Sequence, residues 1–293
     1  MITILKNIIY HPLNRNRKFS ALLTFLFWQL RNVFIKTKMI INITDKSKLN
    51  VIKGRASSTG MLYCGLFEFE DQSFLLHFLR ENDLFVDVGS NIGVYTILSS
   101  AHCKSKTIAI EPIPSTIEIL KSNIKLNNIE NLVNVKPFGI SEKPGKLFFT
   151  DSLDSINHVK SKLDDENGNF IEISTDSLDN IIGNVNPTML KIDVEGFEKA
   201  VIDGGVNTLS NLSLNAIIIE LNGCGLNYGY TDEEINSIIL SYGFKAYSYN
   251  PYTRELNSSK YKRSENTLYV RDVNYVQKLL TNSKKFKIFN SNI

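Results

Sequence analysis

Cysteine is scarce in this chain of 293 residues: Cys64, Cys103 and Cys224 stand far apart, odd in number and in no C-x-x-C pair. That leaves no disulfide framework and no thiolate zinc site, and it points to a reducing, cytoplasmic setting. Long apolar runs are missing too. The uncharged stretch 19–30 has twelve residues, whereas a spanning helix needs about 20. No small-residue cleavage site follows it and basic residues continue on its far side, so a secretory signal peptide is not expected. There is no internal repeat and no low-complexity tract.

Acidic residues are nearly absent from one end. Residues 1–55 carry eleven Lys/Arg and a single acid, Asp45, a net of +10, while the remainder nets −7, which together give the +3 of the whole chain. Such asymmetry suggests an anionic partner surface for the basic part. Within it, Phe19, Leu22, Leu23, Leu26, Phe27, Leu30, Val33 and Phe34 follow helical spacing, Phe25 and Trp28 widen the apolar face, and basic residues flank the segment 15–38. The helix either lies on a membrane surface as a peripheral contact or packs on the body of the protein or on a second subunit.

What the rest contains is regular. Short β-branched strands at 84–89, 106–112, 132–140, 188–196 and 215–222 alternate with helical patterns at 93–101, 115–128, 197–211 and 231–243. Ser115 with Glu118 reads as a capping box, and Thr231 reads as an N-cap. Segments 145–152 and 170–182 read as strands around a polar loop, and 244–250 with 266–272 as an antiparallel pair. Strands alternating with helices of this length predict an α/β, doubly wound, largely parallel sheet. The expected organisation is a basic amphipathic helical extension (1–60), one α/β domain (61–272) and a basic C-terminal tail (273–293).

Two nucleotide fingerprints are broken. The turn after the first strand reads DVGSNIGVYT, with Asn91 where G-x-G-x-x-G needs its second glycine, and no Gly-Lys-Ser/Thr end of a P-loop is present. Gly89 permits a tight turn, and Gly93 lets the helix start sit close to the strand. Asp87, two residues before Gly89, would repel a pyrophosphate but attract an ammonium beside a sulfonium. Glu111 ends the second strand, where an acid accepts hydrogen bonds from both ribose hydroxyls. A nucleoside end, a cationic end and no phosphate together describe S-adenosylmethionine (SAM).

FVDVGSNIGVYT, AIEPIPST, LKIDVEGFE and IIIELN resemble the FkbM family of class I methyltransferases, over about residues 60–250. The resemblance implies a seven-stranded Rossmann-like sheet with one antiparallel strand, and a SAM pocket at the ends of its first three strands. It carries SAM binding onto Asp87, Gly89, Gly93 and Glu111, with Asn91 at a position of small or polar residues. It puts the adenine contact at Phe138 and Gly139, and it implies a hydroxyl acceptor. HPLNRNRKFSALLTFLFWQL and YCGLFEFEDQSFLLHFL are similar to bacterial members linked to cell-surface glycans.

Transfer to an alcohol needs alignment and removal of a proton. Strand alternation puts Lys191, Asp193 and Glu195 on one side at the end of the fourth strand. Asp193 is the candidate acceptor-site carboxylate, as base or metal ligand, with Glu195 as support; either acid could instead stabilise the turn into the next helix. His158, in the polar insertion, is the second base candidate, whereas His11, His77 and His102 read as structural. Magnesium held by Asp193 and Glu220 is compatible with the sequence but not required by it. The expected function is O-methylation of a sugar or glycolipid-linked saccharide. Methylation of a small secondary metabolite such as a macrolide is the alternative, and a non-catalytic membrane-associated scaffold is a further one. Nucleic acid is disfavoured because DVEGFE stands where base-amine methylating enzymes carry an Asn/Asp-Pro-Pro-aromatic run.

Overall fold

The computed structural model describes residues 2–35, 37–150, 159–160, 170–261 and 265–293. The chain opens with α1 (Ile2–Tyr10), α2 (Lys18–Phe34), the hairpin β1 (Met39–Asn42) and β2 (Lys48–Val51), then α3 (Ala56–Cys64) and α4 (Phe69–Phe78). The α/β core follows as β3 (Leu84–Val88), α5 (Val94–Ile97), β4 (Lys106–Ile110), α6 (Pro114–Leu126) and β5 (Val133–Lys136). A side layer of β6 (Gly139–Ile140), β7 (Gly145–Thr150) and β8 (Phe170–Asp176) leads into α7 (Leu178–Ile182) and β9 (Met189–Ile192). Then come α8 (Glu198–Asp203), α9 (Val206–Ser210), β10 (Ala216–Leu221), α10 (Asp232–Ser241), β11 (Lys245–Asn250), β12 (Glu255–Ser258) and β13 (Glu265–Val270). The chain closes with α11 (Val273–Thr281), β14 (Lys287–Ile288) and β15 (Ser291–Asn292).

The main sheet runs β12-β11-β13-β10-β9-β3-β4-β5. Strands β5, β4, β3, β9 and β10 are mutually parallel, and β13 runs antiparallel between β10 and β11. These are the seven strands expected, with the expected reversed one. An eighth, β12, folds back on β11 through the turn at Pro251–Arg254 and forms the edge. The parallel strands are buried on both faces, as β3 (Phe85, Val86, Val88) and β10 (Ile217, Ile218, Ile219) illustrate. Their continuous apolar character in the sequence follows from that.

Several boundaries moved for local reasons. The strand expected over 132–140 breaks at Pro137: β5 stays in the main sheet, while β6 joins β8 and β7 in a separate three-stranded sheet. Helix α6 starts at Pro114, not after Ser115, because proline fits the first helical position; Ile113 is the N-cap and no capping box forms there. Thr231 and Glu234 do form a capping box on α10. Ser177 ends β8 by accepting a hydrogen bond from the Asn180 amide, so SLDNII is helix rather than strand. The helix expected over 197–211 divides into α8 and α9 at Gly204–Gly205. The segment 273–293 packs through Val276, Leu280, Phe286, Ile288 and Ile293 into the core cluster that also holds Phe74 and Phe85.

The N-terminal helices are tied to the body by buried polar contacts. The Asn14 amide donates to the carbonyls of Ile8 at 2.8 Å and Tyr63 at 3.0 Å. Asn50 of β2 bonds to Asn123 of α6, whose own amide donates to the Ile92 carbonyl beside the glycine turn. Helix α2 does pack on the body, but through Ala21, Phe25, Trp28 and Asn32. Phe19, Leu23, Leu26, Phe27, Leu30 and Phe34 face solvent instead. Phe25 and Trp28 therefore oppose the apolar stripe rather than widen it. Among the described residues no helix is long and apolar enough to cross a membrane.

Candidate active site

A cavity opens at the carboxyl ends of β3, β4, β9 and β10, where open α/β sheets bind ligands. Its first wall is the turn from β3 to α5. Gly89 has φ +76°, and a Cβ there would lie 1.8 Å from the Asp193 carbonyl oxygen, so the turn presses against the end of β9. Gly93, at φ +88°, has a different reason from the one expected: a Cβ would meet Leu120 of α6 at 2.4 Å, not the strand. Asn91 adopts φ +49°, a left-handed conformation that asparagine tolerates better than most residues.

Asp87 ends up buried under this turn. Thr96 of α5 donates to its Oδ2 at 2.6 Å. Burial pushes its pKa up to about 6, against the Thr96 hydrogen bond and the charge of Lys191. Glu111 is also buried and latches the two loops together: its Oε2 accepts from the Asn91 amide at 2.9 Å and its Oε1 from the Ile113 amide at 3.0 Å. Burial outweighs both donors and pushes it up to about 7. Phe138 and Gly139 line the same cavity beyond Glu111. Gly139 has no room for a side chain, since a Cβ would meet the Phe149 ring at 2.6 Å.

At the other end stand the fourth-strand residues. Strand β9 stops at Ile192, so Asp193 lies just past it, and Glu195 turns the chain with φ +52°. Lys191, buried in the sheet, donates to Asp193 Oδ2 at 2.9 Å and sits 4.9 Å from the Tyr95 ring centre. Burial opposes the lysine's charge, but Asp193 and Glu68 more than offset that, and its pKa is raised. Carboxylate oxygens of Asp193, Glu195 and Glu220 lie within 4.8 Å of one another. Burial, then the charges of Asp193 and Glu195, push the pKa of Glu220 up. Such a trio can share a proton or hold a divalent cation. Asn222 donates to Glu195, and Glu198 accepts from the Gly196 amide, which fixes the turn.

The structure thus gathers Asp87, Gly89, Asn91, Gly93, Glu111, Phe138, Gly139, Asp193, Glu195 and Glu220: all but Gly93 line one cavity, and Gly93 shapes its turn. His158 lies outside the described residues. His77 is buried against Tyr249 and His102 bonds Thr44, and neither lines this cavity. The sequence reading did not name Ser57 of α3, Phe67 and Glu68 of the α3–α4 connection and Gln72 of α4, which also line the cavity. They precede the glycine turn in the chain, and no spacing rule links them to it. Among the described residues lining the cavity, six are carboxylates (Glu68, Asp87, Glu111, Asp193, Glu195, Glu220) and one, Lys191, is a cation. Ser57 Oγ, Gln72 Oε1, Ser90 Oγ and Tyr95 Oη are buried there without a hydrogen-bond partner, as polar atoms awaiting a ligand would be.

The chain is 31% identical over 148 residues to the hexuronic acid methyltransferase AglP of Haloferax volcanii, covering 50% of this chain and 59% of that protein. It is 30% identical over 83 residues to methyltransferase sdnD of Sordaria araneosa, covering 28% of this chain and 32% of that one. The crystal structure of methyltransferase FkbM from Methylobacillus flagellatus superposes with a TM-score of 0.46 at 18% identity, over 73% of this chain and 53% of its own. The chain spans less than two thirds of the length of each of these proteins. The family model of the methyltransferase FkbM domain matches residues 87–246, from the buried acid of β3 into β11. That match takes in more than half of the chain, which belongs to the FkbM methyltransferase-domain family.

Proposed function

We propose that this protein transfers a methyl group from S-adenosylmethionine to a hydroxyl of a sugar, free or lipid-linked. The observation that carries the proposal is the acid-rich lining of the cavity, six carboxyl groups around one lysine. A phosphate-bearing nucleotide would be repelled there, whereas a ligand with sulfonium and ammonium charges is attracted. The four unpartnered polar atoms fit a nucleoside with a polar tail. The relative named as a hexuronic acid methyltransferase supports a sugar acceptor.

The bound cofactor supplies an electrophilic methyl on a good, neutral leaving group, so the protein's task is placement and proton removal. Glu111 keeps lone pairs free on both oxygens and accepts from the ribose hydroxyls. Phe138 and Gly139 would flank the base, Asn91 shapes the turn, and Asp87 would draw the ammonium end. Asp193, on the mouth side and oriented by Lys191, takes the proton of the acceptor hydroxyl, and Glu195 holds the turn that presents it. Glu220, whose carboxyl burial disfavours as an anion, completes the same cluster. The three carboxylates would also hold a magnesium ion, which would acidify the hydroxyl; sensitivity to chelators reports on that role.

The test is incubation with methyl-labelled SAM and cell-envelope saccharide precursors, followed by location of the label. Label on a sugar hydroxyl is expected. Asp193→Asn should lower turnover roughly 10²- to 10⁴-fold, the usual contribution of a positioned acid or base, with SAM affinity within about threefold. Equal loss of turnover and affinity would remove Asp193 from its assigned role, and label on a base amine or on no hydroxyl would end the acceptor assignment.

A further inference from the structure

The structure carries an apolar surface that the methyl-transfer site does not use. We propose that the outer face of α2 seats the protein on an anionic lipid surface.

Helix α2 is apolar on two opposite sides. Its inner side is committed to the body: Phe25 packs edge-on against Tyr63 at 5.5 Å, and Asn14 locks the α1–α2 corner to α3. Its outer side presents Phe19 (74% exposed), Phe27 (59%), Leu30 (63%) and Phe34 (82%), together with Leu23 and Leu26. At about 100° per residue these positions form one uninterrupted arc roughly 100° wide, opposite the buried residues. Apolar patches of this kind on a folded surface mark a binding face.

Charge selects the occupant. Seven Lys/Arg and no acid occur before Asp45. Exposed Arg15 and Lys18 stand at one end of the stripe, exposed Lys38 lies past the other, and Arg31 borders it, while no charge interrupts it. A second copy meeting this face would bring only further cations to the seam. Anionic headgroups would neutralise them, and the acyl boundary would cover the apolar arc. The helix has 17 residues, about 25 Å at 1.5 Å per residue, and is fixed along the body by its other side, so it lies in the plane of the interface.

Docking there also bears on the site. The inner residues Phe25 and Trp28 line a second cavity with α1 and α3, and Ala56 and Phe67 line both that cavity and the main one. The cavity behind α2 thus adjoins the main one, a layout suited to an acceptor carried in the membrane.

The test is flotation of the purified full-length protein, without SAM, on vesicles of phosphatidylglycerol and phosphatidylcholine or of phosphatidylcholine alone. Binding to the anionic vesicles is expected, at least tenfold weaker on the neutral ones and in about 0.5 M salt, where the Debye length falls well below 10 Å. Phe27→Glu/Leu30→Glu should reduce binding at least tenfold with unchanged circular dichroism and SAM affinity. If that variant misfolds, Arg15→Glu/Lys18→Glu serves in its place. Wild type that stays unbound on anionic vesicles, or flotation undiminished in either variant, overturns the proposal. So does light scattering that shows a non-floating dimer split by the Phe27/Leu30 changes, which would make the occupant a second copy. Because the assay needs neither SAM nor acceptor, its failure leaves the methyl-transfer reading untouched, and the converse holds.

Discussion

Lowering the pH from 8 to 6 should weaken SAM binding about twentyfold. In the free protein Asp87 titrates at about 6 and Glu111 at about 7 because both are buried. A cation brought into the cavity favours their ionised forms and lowers both values, so binding releases protons and affinity rises with pH. At pH 6 Glu111 is protonated about tenfold over its ionised form and Asp87 is half protonated, whereas at pH 8 both are largely ionised. If the binding form needs both charges, the factors of about ten and about two multiply, a cost a little under 2 kcal/mol at ~1.4 kcal/mol per tenfold change. Calorimetric titration at pH 6, 7 and 8 reads the affinity. Repeating the pH 7 titration in phosphate and in Tris, whose ionisation enthalpies differ, counts the protons, and release of about half a proton is expected there. Glu111→Gln should flatten the profile to the roughly twofold share of Asp87. Affinity constant within a factor of two from pH 6 to 8, or proton uptake on binding, would refute the electrostatic reasoning.

Gly89→Ala should lower stability by at least about 2 kcal/mol in urea titration and abolish SAM binding, since the left-handed backbone alone costs about 1–2 kcal/mol for alanine and the new Cβ would fall 1.8 Å from the Asp193 carbonyl oxygen. Wild-type stability with intact binding would mean that the β3 turn is not pressed against β9. Arg271→Met should cost about 3 kcal/mol with an unchanged denaturant slope, because the guanidinium donates to the carbonyls of Leu209, Asn211 and Leu214 and orphaned acceptors cost about 1–3 kcal/mol each. No change in midpoint would show that water replaces the guanidinium at those carbonyls.

Much of the site was legible because its chemistry is local. Asp87, Gly89 and Asn91 lie within one strand-turn unit, and Glu111 ends the next strand, so spacing alone put them at neighbouring strand ends. Their pairing in register, Val88 with Ile110, then made Glu111 a latch on the Asn91 amide. The reason for Gly93 was not legible: Leu120, the atom group it accommodates, is 27 positions away and reaches it only through the packing of α6. Pro114 and Ser177 were readable signals of a helix start that competed with stronger-looking neighbours. The division of 132–140 between two sheets depends on which strand each half meets, and that is a long-range outcome.

By itself the sequence determined the class of fold, the position of the glycine turn and its two acids, and the basic, apolar character of the N-terminal segment, because each rests on residues close in the chain. Tertiary structure decided which charges share a cavity. It placed Asp193, Glu195 and Glu220 within 4.8 Å of one another, brought Glu68 and Gln72 to the cavity from the residue before α4 and the start of α4, and buried Asp87 and Glu111 deeply enough to raise their pKa values. It also chose which of the two apolar sides of α2 is buried. A helix apolar on both sides satisfies either arrangement locally, and only the shape of α1 and α3 beneath it selects Phe25 and Trp28 for the interior and leaves Phe27 and Leu30 outside.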